Sequence, residues 1–178
     1  MILADSAIRS ALAEGDIVIE PFADEQLNPN SYDVRLGDEV LSYEDSSLLD
    51  AVRREPRHRR QKIEATGIVL YPGVGYLMST VERIGSRRFV PQIEGKSSIA
   101  RLFVSVHQTA GFGDIGWVGN FTLEVTSLYP VRLYAGMRIA QVIFFETLGR
   151  VERPYAGSYV GDAASGPVPS RLWKKCVP

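Results

Sequence analysis

The stretch whose reading decides the fold is residues 67–147, GIVLYPGVGYLMSTVERIGSRRFVPQIEGKSSIARLFVSVHQTAGFGDIGWVGNFTLEVTSLYPVRLYAGMRIAQVIFFET. It is a succession of short β-rich runs: Gly67–Tyr71, Gly75–Val81, Phe89–Ile93, Phe103–His107, Asn120–Ser127, Val131–Tyr134 and Met137–Thr147. Branched and aromatic side chains suit a pleated surface, and the glycines and prolines between the runs supply turns. No helical period lies between the runs, apart from one candidate turn at Ser98–Arg101. Strands at this spacing point to a mainly β fold, an antiparallel sandwich or barrel such as a jelly roll.

Upstream, Asp5 is a suitable N-cap for a short helix reaching Glu14, with Ile8, Ala11 and Leu12 toward the core and Gly15 as its stop. Ile17–Ile19 reads as a short strand and residues 28–31, Asn-Pro-Asn-Ser, as a turn. Tyr32–Leu36 alternates as a half-buried strand does, and Glu39–Tyr43 reads as a further strand. Residues 45–61 contain RREPRHRRQ, like charges without an apolar period, and read as an exposed basic loop or insertion. An anion-binding arm is the functional alternative there. Residues 157–178, rich in Gly, Ala, Ser and Pro toward their start, read as a flexible tail.

The chain has 178 residues, 45% of them hydrophobic and 23% charged, with a formal net charge of −1. Those values fit a single soluble domain over residues 1–178. A dedicated nucleic-acid binder would carry a basic excess, so none is expected as a partner. No apolar run is long enough to span a bilayer, and the acidic, amphipathic N-terminus does not read as a secretory signal. One cysteine, Cys176, permits no disulfide within the chain and suits a reducing cytoplasm. His58, His107 and Cys176 are too scattered for a zinc site, and the H-x-E with P-C-x-x-C signature of zinc deaminases is absent. No metal ligands are therefore expected in the protein.

Between Glu94 and Glu124 the chain gathers chemistry-bearing residues. Gly95-Lys96-Ser97-Ser98 follows a strand and offers a cation, two hydroxyls and backbone N–H groups to an anion. It is not a Walker A loop, because the upstream glycine is missing. In Phe121-Thr122-Leu123-Glu124-Val125 the apolar residues share one face, leaving Thr122 and Glu124 on the other. Taken singly, Glu124 and Arg101 read as surface residues, Asp114 as a turn residue and His107 as a strand residue.

Read together, EGKSSIAR (94–101), HQTAGFGDIGW (107–117), NFTLEV (120–125) and GMRIAQVIF (136–144) resemble the deoxycytidine triphosphate (dCTP) deaminases. These belong to the trimeric deoxyuridine triphosphatase superfamily of distorted jelly rolls. Met1–Asp5, Asn30–Gly37 and Gly166–Arg171 extend the resemblance to nearly the whole chain. It implies metal-independent hydrolytic deamination at C4 of cytosine, with Glu124 as the catalytic acid/base and Ser97 and Arg101 supporting it and the attacking water. One carboxylate can take a proton from water and deliver one to N3 of the ring.

The same resemblance implies nucleotide contacts at Lys96, Ser97, Ser98, Ile99, Ala100 and Arg101. Further contacts fall on Asp114, Thr122, Leu123, Glu124, Gln141 and Tyr155. Magnesium would arrive on the triphosphate of dCTP or dUTP, and sites formed between subunits imply a homotrimer. Gly111 and Phe112 stand where deaminases that only deaminate carry His-Arg. The Thr-Ala-Gly-Phe form resembles the bifunctional enzymes that proceed to dUMP and pyrophosphate, although plain turn variation would give the same glycine. The family tail has a Lys-Tyr-x-x-Gln pattern that clamps phosphates; aligned on Tyr159, this chain places Ser158 and Asp162 at the lysine and the glutamine. Lys174, Lys175 or an arginine of the insertion could substitute. A monofunctional deaminase giving dUTP, a dUTP pyrophosphatase of the same fold, and a non-catalytic nucleotide-binding module remain the alternatives.

Overall fold

The computed structural model describes residues 1–44, 48–51, 55–159 and 166–175. The chain opens with α1 (Asp5–Glu14), β1 (Ile17–Glu20), β2 (Leu27–Asn28) and the long β3 (Ser31–Tyr43). Then come β4 (His58–Lys62), β5 (Ile68–Leu70), β6 (Tyr76–Ser86), β7 (Phe89–Gly95) and a one-turn helix, α2 (Ser97–Ala100). The elements β8 (Val104–Ser105), β9 (Val118–Ser127), β10 (Val131–Leu133) and β11 (Arg138–Glu146) complete the fold. The main sheet runs β7-β11-β3-β6-β9-β8, with β1 paired to β6 and both β2 and β4 to β3; β5 and β10 form a separate ribbon. The chain is mainly β with one substantial helix, as its turn spacing predicts.

The sheet curls until it nearly closes. The edge strand β7 is met by residues 111–113, through Ile93 N–H to the Gly111 carbonyl and Gly113 N–H to the Pro91 carbonyl, both at 2.7 Å. Covering an edge in this way removes unpaired backbone groups that would otherwise recruit another strand. Inside lie Tyr32, Leu36, Met78, Ile84, Leu123 and Phe144, none more than marginally exposed, with Ile8 of α1 sealing one end. Each such side chain contributes on the order of 1.5–3 kcal/mol by leaving water.

Several expectations are corrected. Ala4, not Asp5, is the N-cap of α1; Asp5 is the first helical residue, and its carboxylate accepts the Ser6 N–H at 2.8 Å. Leu12 is half-buried, while Ile8 and Ala11 are buried. The strands expected at 32–36 and 39–43 are one strand, β3, with a register irregularity against β6 between Leu36 and Val40. Gly37, between the two expected strands, allows close approach: a Cβ would lie 2.9 Å from Ser79 Oγ. β3 is central, so Ser31, Tyr32, Asp33 and Val34 are all buried and the strand is not half-solvated. β6 runs past Val81 to Ser86, with Gly85 tolerating the Trp117 carbonyl where a Cβ would clash. The run expected at 103–107 shrinks to Val104–Ser105, because Phe103 takes a left-handed φ of 57° and His107 lies beyond the strand.

Part of the basic segment is also ordered differently from a loop. His58–Lys62 pairs antiparallel with residues 39–43 of β3. Its side chains are largely exposed, which is why no apolar period marks it. Arg60 donates to Glu39 Oε2 at 2.7 Å and to the Pro167 carbonyl at 2.9 Å, so this strand holds part of the C-terminal segment. Among the described residues, Gly166–Ser170 packs against the sheet and does not trail as a free tail. No helix among the described residues is long and apolar enough to cross a membrane.

One buried charge knits the centre. Glu82 is fully buried and accepts from Arg35 Nε at 2.7 Å, Arg35 N–H at 2.8 Å and Gln26 Nε2 at 3.0 Å. The Glu82 hydrogen bond holds the Arg35 guanidinium pKa above its ordinary value. Removing one partner of such a pair typically costs about 3–5 kcal/mol, because the other charge is left buried and uncompensated.

Candidate active site

β9 sets the first wall of the site. Phe121, Leu123 and Val125 face the core while Thr122 and Glu124 face the other way, half-buried. Both line a cavity of about 500 Å³ that is also bounded by Phe112, Asp114 and Tyr155. Trp117 stacks edge-on to Phe121 with centroids 4.9 Å apart, and its indole N–H donates to the Tyr159 carbonyl at 3.1 Å. The C-terminal segment closes one side: Val168 N–H donates to Thr122 Oγ1 at 3.1 Å, and Ser170 N–H to the Tyr43 hydroxyl at 3.3 Å. A cavity that combines aromatic rings with a few convergent polar groups is the usual form of a small-ligand site.

The turn at 109–114 delivers Phe112 and Asp114 to that cavity. Gly111 is packed where no side chain fits, since a Cβ would sit 2.5 Å from the Ile93 carbonyl and 3.1 Å from His107 Nε2. Phe112 is 63% exposed, unusual for its type, and bridges backbone to Gln92. His107 is not the satisfied strand residue expected: its Nδ1 is buried with no hydrogen-bond partner, and Nε2 lies 3.7 Å from Glu94. Next to it, Gln108 reaches Glu124. Its N–H lies 3.4 Å from Glu124 Oε2, and its Nε2 donates to Thr126 Oγ1 at 3.1 Å.

A second group of predicted site residues gathers elsewhere, where β3 meets β11 and the end of β7. Gln141 lies opposite Asp33 in register; it accepts from Ser31 Oγ at 2.9 Å and donates to the Gly95 carbonyl at 3.1 Å. Lys96 Nζ donates to Asp33 Oδ2 at 2.5 Å. Immediately after it come Ser97, Ser98, Ala100 and Arg101, all exposed, with Ile99 buried as the anchor of α2. In the sheet path, β3 and β6 stand between β11, which carries Gln141, and β9, which carries Glu124.

The sequence-predicted residues are thus brought together as two groups. Asp114, Thr122, Glu124 and Tyr155 share the cavity; Lys96, Ser97, Ser98, Ile99, Ala100, Arg101 and Gln141 do not line it. Leu123 is fully buried toward the core, so its backbone alone is available to a ligand. Ser158 uses its carbonyl to receive Arg171 at 2.7 Å, and Asp162 lies outside the described residues. Sequence reasoning missed Trp117, Phe121 and Tyr43 around the cavity, Gln108 against Glu124, and Asp33 and Arg138 in the second group. Trp117 and Phe121, four residues apart around a glycine, carried a signal for an aromatic wall; Asp33 inside an apolar strand carried one for a buried carboxylate. Among the described residues no group of three or more His, Cys, Asp or Glu side chains is placed to hold a metal ion.

Residues 2–147 match the model of the family described as dCTP deaminase-like, and the chain belongs to that family. In particular, it is 41% identical to the dUMP-forming dCTP deaminase of Hathewaya histolytica over 98% of both chains. It is also 41% identical to that of Clostridium acetobutylicum over 99% of both, and 40% identical to that of Cytophaga hutchinsonii over 98% of both. Among solved structures, the 2'-deoxycytidine 5'-triphosphate deaminase of Agrobacterium tumefaciens matches with a TM-score of 0.61 at 26% identity. That match covers 80% of this chain and 47% of the other, so the chain spans about half the length of that protein.

Proposed function

We propose that the protein hydrolyses dCTP to dUMP, ammonia and pyrophosphate. The observation that carries this is Glu124, held on the polar face of β9 at an aromatic cavity in a dCTP deaminase-like chain. Its full-length similarity to the dUMP-forming enzymes supports the same product here.

In the first step Glu124 takes a proton from water as the oxygen bonds to C4 of cytosine, and delivers a proton to N3. Glu124 then moves the proton of the new hydroxyl to the amino nitrogen, the C4–N bond breaks, and ammonia leaves as the C4 carbonyl of uracil forms. Proton transfer of this kind contributes about 10²–10⁴-fold in rate. Gln108 N–H, facing Glu124 Oε2, helps to fix the carboxylate's direction. In the second step water attacks the α-phosphorus and the bond to the bridging oxygen breaks, releasing pyrophosphate. The glycine at 111 supports this bifunctional course, because it lets the turn lie flat on β7 and carry Phe112 and Asp114 to the cavity.

The division of the predicted residues between two places on one chain supports a site completed by a second copy, with Lys96, Ser97, Ser98 and Arg101 of one subunit facing Glu124 of its neighbour in a homotrimer. Lys96, Ser97 and Ser98 would bind phosphates, Arg101 and Ser97 the attacking water and Glu124. Magnesium would be carried in on the triphosphate, whose oxygens suit that ion. A protein of this activity, with one cysteine, suits the cytoplasm.

Incubation with dCTP and magnesium, with products separated by chromatography, tests the reading. The expected products are dUMP and pyrophosphate. Accumulation of dUTP alone would overturn the second step, and absence of any uracil nucleotide would overturn both.

A further inference from the structure

Asp33 is 2% exposed, yet two cations converge on it. Its Oδ1 accepts from Asn28 Nδ2 at 2.9 Å. Its Oδ2 receives Lys96 Nζ at 2.5 Å and lies 3.6 Å from a terminal nitrogen of Arg138. One carboxylate thus faces two positive charges, leaving a local excess of one. The heads are not sealed in: the Lys96 side chain is 23% exposed and that of Arg138 43%. A third cation, Arg35, lies opposite Arg138 in register but is committed to Glu82.

Arg138 is the less committed of the pair. At 3.6 Å its contact with Asp33 is an ion pair too long for a hydrogen bond, and its guanidinium makes no hydrogen bond to any described residue. A guanidinium with its planar fork of N–H donors unused matches a phosphate bidentately. It sits on β11 three residues before Gln141, beside Lys96. Two like charges held close repel, and an anion arriving between them relieves that repulsion.

We propose that Arg138 is a further phosphate-binding residue of the nucleotide site, held ready beside Lys96 by the buried Asp33 carboxylate. This rests on the reading of the protein as a dCTP-converting enzyme and adds a residue to its phosphate grip. Charge-assisted hydrogen bonds of this kind correspond to roughly ten- to hundredfold in affinity.

The test is calorimetry of dCTP, with deoxycytidine as competitor, in a Glu124→Gln background that halts turnover, with and without Arg138→Met. The expected result is a roughly ten- to hundredfold loss for dCTP with deoxycytidine binding unchanged, and partial recovery in Arg138→Lys. Steady-state assays with Glu124 intact should show KM raised and kcat within about twofold. If Arg138→Met does not fold, Arg138→Lys carries the test, weakening dCTP and sparing deoxycytidine. Equal losses for both ligands, or no loss for either in a wild type that turns over dCTP, would overturn this proposal alone. A wild type that neither binds nor converts dCTP would overturn the underlying reading with it.

Discussion

The cavity beside β9 has aromatic rings and two carboxylates in its wall, whereas the junction of β3, β11 and β7 buries one carboxylate beneath two cations. At β9, Glu124 and Asp114 have no cation among their described hydrogen-bond or ion-pair partners. At the junction Asp33 is occupied by lysine, arginine and asparagine. A group that must trade protons during turnover needs freedom from fixed partners, while a group that shapes an anion site works by holding them. On the proposed reading, the contrast separates chemistry at the base from grip on the phosphates.

The largest expected effect follows from removing the proton carrier. Glu124→Gln should lower kcat by about 10²–10⁴-fold while thermal unfolding and dCTP binding stay near wild type; retained turnover would dissolve the distinction between the regions. The second test asks whether the regions of different subunits work together. Glu124→Gln and Arg101→Ala should each be inactive, but refolded as an equal mixture they should regain roughly a quarter of wild-type activity. In a ring of shared sites that fraction pairs an intact Glu124 with a neighbour's intact Arg101. No recovery would place the whole site within one subunit.

Gly111→Ala probes the turn that feeds the cavity. The added methyl meets the Ile93 carbonyl and the His107 ring, so about 1–3 kcal/mol should be lost, read by denaturant unfolding, with dUTP accumulating relative to dUMP. The smallest effect is expected at Arg60→Ala, which frees the C-terminal segment from β4. Arg60 itself is exposed and its bond to Pro167 only part-buried, so stability should change by about 1 kcal/mol or less; the informative readout is a raised KM for dCTP.

The strand runs after residue 67 were legible because branched and aromatic residues cluster between glycine and proline turns. β4 was not, since neither of its faces meets the core and its arginines leave no period. The continuity of β3 was hidden at Gly37, between the two expected strands, where the missing side chain admits Ser79. Glu124, read singly as a surface residue, gained a role only through the motifs that surround it in the resemblance. Its partner Gln108 lies sixteen positions away, outside any local pattern. The pairing of Lys96 with Asp33 joins residues sixty-three positions apart, beyond the reach of local pattern. Arg138 likewise carries an unremarkable sequence context, and its partner becomes visible through the register of β11 on β3.

That register gives β3 a wider consequence. Its first residues carry Asp33, and its last, Tyr43, borders the cavity and receives the C-terminal segment. One unbroken beam therefore spans both ends of the proposed nucleotide grip within each subunit. Inserting or deleting a residue near Gly37 would slide one end past the other, so this strand's length acts as a ruler, and phosphate hold and base fit cannot be retuned along it one at a time.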